Sequence, residues 1–221
     1  MEAPTGSGPV RRRLATLFVD IAGSTSLLVH HQPEVVLGVM QCFFGQVTEA
    51  AFVHSGHVKD YEGDGALLYF ESSRHAVQAA FVIRAELAQG RCHTACSGGP
   101  GMKARMSLAL GEVVLGAVGS SRRHGIALVG PSVNVGSRLL RQVSPGGIIA
   151  TGELVEALRM EAPHLAGEFQ LLDRAFEVPG ADGLLVETYI ARPANDATPL
   201  PPSRSGKGGN DAPGRIGEAV Q

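Results

Sequence analysis

One short stretch constrains this chain more than any other: Val58-Lys59-Asp60-Tyr61-Glu62-Gly63-Asp64-Gly65, followed by Ala66-Leu67-Leu68-Tyr69-Phe70. Residues 58–61 and 66–70 carry strand-forming side chains, and Glu62-Gly63-Asp64-Gly65 between them is a hairpin signal. Glycine and aspartate supply the tight backbone turn that two antiparallel strands need. Upstream, residues 14–19 (LATLFV) read as a short, mostly apolar strand ending at Asp20. Gly23-Ser24-Thr25 supplies a turn and a cap for a helix. Pro33 suits a first helical turn, and Val35, Val39, Phe43, Val47 and Ala51 then repeat at i+4 along one face, as a core-facing stripe does.

Downstream the elements keep alternating. Residues 73–88 form an amphipathic helix, and 105–110, 113–118 and 126–129 read as strands. A helix over 132–142, a strand over 148–150, a helix over 153–161 and strands near 169–172 and 185–190 complete the pattern. Strand, helix, hairpin, helix, strand is the βαββαβ order, so the expected fold class is α+β: a ferredoxin-like βαββαβ core with additional C-terminal strands and helices. In that topology strands one and two run parallel with strand three between them. Asp20, ending strand one, and Asp64, in the turn after strand two, therefore meet at one end of the sheet. Taken singly, Asp20 is a helix cap and Asp64 a turn residue. Brought together they repel unless a cation joins them, and oxygen ligation suits Mg²⁺ or Mn²⁺ with a phosphate substrate. Two such ions could activate a hydroxyl and neutralise a leaving pyrophosphate without a side-chain base.

Composition bounds the rest. With 19 basic against 21 acidic residues and net charge −2, a nucleic-acid polymer is not the expected partner. No uninterrupted apolar run exceeds five residues, so no membrane span is expected, and the N-terminus has no apolar stretch of signal-peptide length. The three cysteines, Cys42, Cys92 and Cys96, cannot all pair, and their scarcity suits a reducing, cytoplasmic setting. Residues 1–10 and the Pro/Gly-rich 193–221 read as flexible tails, 90–103 as a surface loop, and 11–192 as one domain. Neither a GxxxxGK[ST] nor a GxGxxG phosphate loop occurs. Cys92-His93 and Cys96 lack a second ligand pair for metal; His30-His31 and Arg122-Arg123-His124 read as solvated surface.

Four segments carry a resemblance. Phe18-Val19-Asp20-Ile21-Ala22-Gly23-Ser24-Thr25 looks like the strand-to-helix metal motif of class III nucleotidyl (adenylate and guanylate) cyclases, and Glu62-Gly63-Asp64-Gly65 resembles their hairpin. Residues 105–119 resemble their central strand pair, and Gly130-Pro131-Ser132-Val133-Asn134-Val135-Gly136-Ser137-Arg138 their catalytic helix. The segments keep the family's order over residues 11–191.

The resemblance implies a class III cyclase fold and a lyase that converts a nucleoside triphosphate to its 3′,5′-cyclic nucleotide and pyrophosphate. It implies two Mg²⁺ or Mn²⁺ ions held by Asp20, Asp64 and the Ile21 carbonyl. Asn134 would position the ribose and Arg138 would stabilise the transition state; i and i+4 share one helix face, and a guanidinium offers bidentate bonds to a phosphoryl group. Arg105 would reach the terminal phosphates, and the amides of Gly23, Ser24 and Thr25 would receive phosphate oxygens. The family shares its sites between subunits, so one copy of every part implies a homodimer with two composite sites and an inactive monomer.

Three positions depart from the family pattern. Where adenylate cyclases carry an adenine-reading lysine, four residues before the hairpin aspartate, this chain has Asp60, with Lys59 one earlier. The partner base-reading position is Ala127, and residues 176–182 (FEVPGAD) hold no counterpart of the C-terminal phosphate lysine. A carboxylate suits guanine's donors; a bulge could instead bring Lys59 to the base. The expected substrate is ATP, on the family's frequency, with guanylate or pyrimidine cyclase as alternatives. A degenerate homologue that binds nucleotide and regulates is the contrasting reading. A dinucleotide cyclase on a related fold fits poorly, because it does not need the Asn134/Arg138 pair.

Overall fold

The computed structural model describes residues 8–90, 102–120 and 122–191. The expected tail over 193–221 and nearly all of the expected loop lie outside them.

Strand β1 (Val10–Ile21) is followed by α1 (Ser24–His30), α2 (Pro33–Val53), β2 (His57–Glu62), β3 (Gly65–Phe70), α3 (Ser73–Ala88) and β4 (Ala104–Ser120). Then come β5 (Arg123–Val129), α4 (Pro131–Leu139) with a 3₁₀ turn (Leu140–Gln142), and β6 (Ile148–Thr151). The chain ends with α5 (Gly152–Glu161), α6 (Pro163–Ala166), β7 (Gln170–Leu171), β8 (Phe176–Glu177), β9 (Leu185–Val186) and β10 (Thr188–Ala191). The main sheet runs β2-β3-β1-β4-β6-β10-β7, with β5 paired to the far part of β4. Its first four strands are the ferredoxin-like core: β3 lies antiparallel to both β1 and β2, so those two run parallel, as their order in the sequence implies. The fold is a mixed α+β sheet with helices.

Side-chain alternation divides this sheet into two unlike faces. Ala15, Leu17, Val19, Ala66, Leu68, Phe70, Met106 and Leu108 point to one face and pack with Phe43, Val47, Ala76, Ala80, Ile83 and Leu154 of α2, α3 and α5 in the main core. Leu14, Val113 and Leu128 form a much smaller cluster on the other face, with half-buried Leu67, Tyr69 and Leu115 against them.

Several expectations shift. β1 starts four residues early because Arg11, Arg12 and Arg13 pair in register with Val114, Val113 and Glu112; the ladder, not apolarity, sets its length. The two strands expected over 105–118 are one, β4, since Gly111 is a point of close approach rather than a turn: a Cβ there would lie 2.7 Å from the Ser132 Cβ. The helix after Gly23 breaks ahead of Pro33, as a residue before proline disfavours helix. Gly23 itself is the N-cap, at φ 81°, with no side-chain cap bond from Ser24 or Thr25. On α2 the buried stripe begins at Val36; Val35 is 51% exposed. α2 is 21 residues long and is apolar enough to cross a membrane by length and composition, yet Val36, Cys42, Phe43, Val47, Ala50 and Ala51 are buried within the fold. Cys42 is buried on α2; Cys92 and Cys96 lie outside the described residues.

Candidate active site

The β1/β3 register sets Asp20 opposite Gly65, and the Ile21 amide donates to the Asp64 carbonyl at 3.2 Å. Gly63, at φ 59°, takes the left-handed turn that brings Asp64 back over the end of β1. Two carboxylates thus share one end of the sheet. Burial raises the Asp20 carboxyl above its ordinary value, and the charge of Asp64 raises it further, while the charge and hydrogen bond of Arg105 pull the other way. Arg105 faces Asp20 across β1 and β4, and its guanidinium donates to the Asp20 carboxylate. The Asp20 side chain is 14% exposed and that of Arg105 33%. The Arg105 Nε is buried without a hydrogen-bond partner.

This end of the sheet fits a hard divalent cation. Asp20, its proton affinity raised by burial and by the charge of Asp64, together with Asp64 and the main-chain oxygens of the Ile21 turn, is an oxygen donor set with Arg105 as its cationic neighbour. No third carboxylate, histidine or cysteine joins them among the described residues, so the remaining ligand positions fall to phosphate and water. At the start of α1 the first helical bonds are donated by Ser26 to the Gly23 carbonyl, which leaves the amides of Gly23, Ser24 and Thr25 ahead of the helix ladder.

Asn134 and Arg138 make no polar contact with these groups. Helix α4 lies on the same sheet face as Asp20, held by Val135, Gly136 and Leu139. Only glycine fits at 136: a Cβ would sit 2.9 Å from the Phe18 ring, and Ser107 Oγ donates to the Gly136 carbonyl at 2.7 Å. That anchor turns Asn134, Ser137 and Arg138 outward, all three exposed. Among the described residues no hydrogen bond or ion pair joins Asn134 or Arg138 to Asp20 or Asp64, and Arg138 is absent from the charges that act on Asp20. The Arg138 guanidinium reaches instead toward Gly180, 3.9 Å from where a Cβ would stand. Arg141, in the 3₁₀ turn, continues the same exposed face; the i, i+3, i+4, i+7 spacing from Asn134 could have pointed to it.

The positions expected to read the base are rearranged by a bulge. Val58 pairs with Leu68 and Asp60 with Leu67, so Lys59 is an extra residue in β2. Counted back from the hairpin, strict alternation would put Lys59 on the helix-covered face. The bulge sets both Lys59 and Asp60 opposite Leu67, on the open face. Lys59, 20% exposed at its side chain, enters a shallow cleft with Val58, Tyr69, Leu115, Ile126 and Leu128. Asp60 is 52% exposed and accepts a hydrogen bond from the Lys59 ammonium at 3.2 Å. Ala127 does not line this cleft: it pairs with Gly116 and points to the opposite side of β5 from Ile126 and Leu128. Tyr69, Leu115 and Leu128 were not singled out from sequence; their shared strand parity was the available signal.

A split βαβ sheet with paired aspartates at one end and an outward Asn/Arg helix beside it defines the class III nucleotidyl cyclase catalytic fold. The family model for the adenylate and guanylate cyclase catalytic domain matches residues 11–191, and the chain belongs to that family. Among solved structures it is similar to the adenylyl cyclase CyaB from P. aeruginosa, with TM-score 0.72 and 19% identity over 85% of this chain and 97% of that one. The guanylate cyclase domain of RhGC from Catenaria anguillulae, in complex with GTP, has TM-score 0.70 and 21% identity over 83% and 100%. Uncharacterized protein Rv1318c of Mycobacterium tuberculosis is 30% identical over 163 residues, 70% of this chain and 29% of that protein. The chain thus spans less than a third of the length of such relatives.

Proposed function

We propose that this domain is an active nucleotidyl cyclase that forms 3′,5′-cyclic AMP and pyrophosphate from ATP as a homodimer with two shared sites. The observation that carries this reading is the separation within one chain of two complete half-sites: the aspartates at the sheet end, and the outward Asn134/Arg138 face with nothing to act on. A two-fold partner supplies to each half what its own chain withholds.

In the reaction the ribose 3′-oxygen attacks the α-phosphorus, the bond from that phosphorus to the β-phosphate bridging oxygen breaks, and the hydroxyl proton leaves to solvent. Asp20, Asp64 and the Ile21 carbonyl are the residues that would hold two Mg²⁺ or Mn²⁺ ions, which would supply acidification of the 3′-hydroxyl and charge neutralisation of the pyrophosphate. Asn134 of the other subunit orients the ribose by hydrogen bonding. Arg138 donates to the α-phosphoryl oxygens as charge builds on them, with a charge that does not titrate. The amides of Gly23, Ser24 and Thr25 and the guanidinium of Arg105 receive the β- and γ-phosphates.

Lys59 supports adenine. Its ammonium, in the cleft, donates to a ring-nitrogen acceptor that adenine presents and guanine replaces with a donor. Asp60, which would favour guanine, is turned to solvent and neutralised by Lys59. Ala127 serves as space rather than as a reader. With ATP as substrate, the domain acts in cytoplasmic cyclic-nucleotide signalling and needs neither nucleic acid nor membrane as partner. A nucleotide-binding regulatory module is the second reading, favoured by one feature: the segment beside Arg138, Val178-Pro179-Gly180, offers no lysine for phosphate.

Incubation with Mn²⁺ and each of the four nucleoside triphosphates, with product identification, tests the proposal. Cyclic AMP is expected; no cyclic product from any of the four refutes the enzyme reading.

A further inference from the structure

We propose that Arg105 is the resident counter-ion of Asp20, and that a divalent cation and a triphosphate bind cooperatively because each draws Arg105 away from that carboxylate. The inference rests on the reading of Asp20 as a metal ligand. Its starting point is register, not a flexible surface contact. β1 and β4 set Asp20 directly opposite Arg105, with Phe18 opposite Ser107 in the next pair along the same face. The guanidinium donates to Asp20 Oδ2, and both side chains are largely withdrawn from solvent. Asp64 repels Asp20 from the other side. Oδ2 is therefore already served by one cation, and a divalent ion cannot share that oxygen without facing the guanidinium's charge at close range.

Arg105 is also poorly satisfied where it is, since its Nε is buried with no acceptor. A planar guanidinium with an idle donor has an alternative in a phosphate, which accepts from two of its nitrogens at once. Metal arriving at Asp20 releases Arg105, and phosphate arriving at Arg105 bares Asp20. Linkage then requires each ligand to strengthen the other by the same factor. The competing reading is that the pair is a plain cross-strand tie with no bearing on ligands.

Two equilibrium measurements on the full chain separate these readings. In the first, Mn²⁺ is titrated without nucleotide and free Mn²⁺ is followed by electron paramagnetic resonance. Arg105→Ala is expected to bind Mn²⁺ about tenfold more tightly than wild type, and Arg105→Lys to stay near wild type. In the second, ATP binding is measured by calorimetry in EDTA. Asp20→Asn, which removes a metal ligand, is expected to bind metal-free ATP several-fold more tightly than wild type, and Asp20→Asn/Arg105→Ala to lose that gain. Unchanged or weaker Mn²⁺ binding in Arg105→Ala overturns the inference, as does an ATP gain that survives in the double variant. Thermal melts identify any variant that fails to fold, and Arg105→Gln then replaces Arg105→Ala in both measurements. Neither measurement needs turnover. A wild type that makes no cyclic product but shows both effects refutes the enzyme reading and leaves this inference standing; wild type and Arg105→Ala both failing to bind Mn²⁺, with or without ATP, refutes both.

Discussion

The two faces of one sheet differ in almost every physical respect. On the helix-covered face of β3, Ala66, Leu68 and Phe70 are buried in the main core; their neighbours Gly65, Leu67 and Tyr69, one residue away, are half-buried on the other side. The covered face carries aliphatic and aromatic side chains closed over by α2, α3 and α5. The open face carries Asp20, Arg105 and Lys59, with α4 laid over only part of it. Stability is concentrated on one side, and the groups able to do chemistry are held by the same strands on the other. Rigid placement of Asp20 opposite Arg105 is a by-product of packing that neither residue takes part in.

The comparison is broken most severely by a change that should abolish function and leave the fold alone. Arg138→Ala is expected to lower cyclisation by roughly 10²–10³-fold, with an unchanged melting temperature. Asp64→Ala should behave likewise, and mixing the two inactive variants should restore activity at up to one site per heterodimer. Activity assays on the mixture check this; no rescue would mean that each site is complete within one chain.

The converse change is in the covered face. Leu68→Ala should cost about 2–5 kcal/mol of unfolding free energy by leaving a cavity, whereas Leu67→Ala next to it should cost under about 1.5 kcal/mol. Denaturant titration measures both costs; equal costs would show that the faces are energetically alike.

A smaller effect tests the bulge. Lys59→Ala is expected to raise the KM for ATP about tenfold, close to the loss of one charged hydrogen bond, while Asp60→Ala changes it little. Initial-rate kinetics with ATP and GTP decide, and the reverse ranking would return base reading to Asp60.

The smallest effect lies at the rim of the covered face, where Glu161 of α5 caps α3. Burial pushes the Glu161 carboxyl up, but hydrogen bonds from the Ser72 hydroxyl and the Arg74 and Ser73 amides outweigh it and hold the group below its ordinary value. A lowered carboxyl contributes stability above its unfolded pKa and loses it as pH falls through the folded one. Glu161→Gln should therefore lower stability near neutral pH by roughly a few tenths of a kcal/mol, since the group is mostly solvent-screened, and not in acid, giving a flatter acid limb in melting temperature against pH.

Much of this fold is legible in the sequence alone. The hairpin signal and the strand before it imply the β2-β3-β1 order, and that order alone brings Asp20 and Asp64 together. The i, i+4 spacing of Asn134 and Arg138 puts them on one face of α4. What could not be read were properties that depend on a partner strand. Apolar content underestimates β1, because Arg11–Arg13 join the ladder on polar side chains. The strands expected over 105–110 and 113–118 join through Gly111, against which only the tertiary structure brings Ser132. The stripe on α2 is buried as expected at Phe43, Val47 and Ala51, but its first member, Val35, lies exposed in the opening turn, where Val36 is buried instead.

The sequence by itself determined the order of elements and the chemical inventory: two aspartates, one Asn/Arg helix, and a lysine displaced by one residue. It determined these because turns, caps and periodicity are local, set by neighbours within a few positions. Only the tertiary structure decided that Lys59 enters the cleft while Asp60 faces solvent, that Ala127 points away, and that Arg105 already occupies Asp20. Those outcomes depend on strand register. Register is set by the summed packing of distant segments, and a one-residue change in it moves a side chain to the opposite face of the sheet.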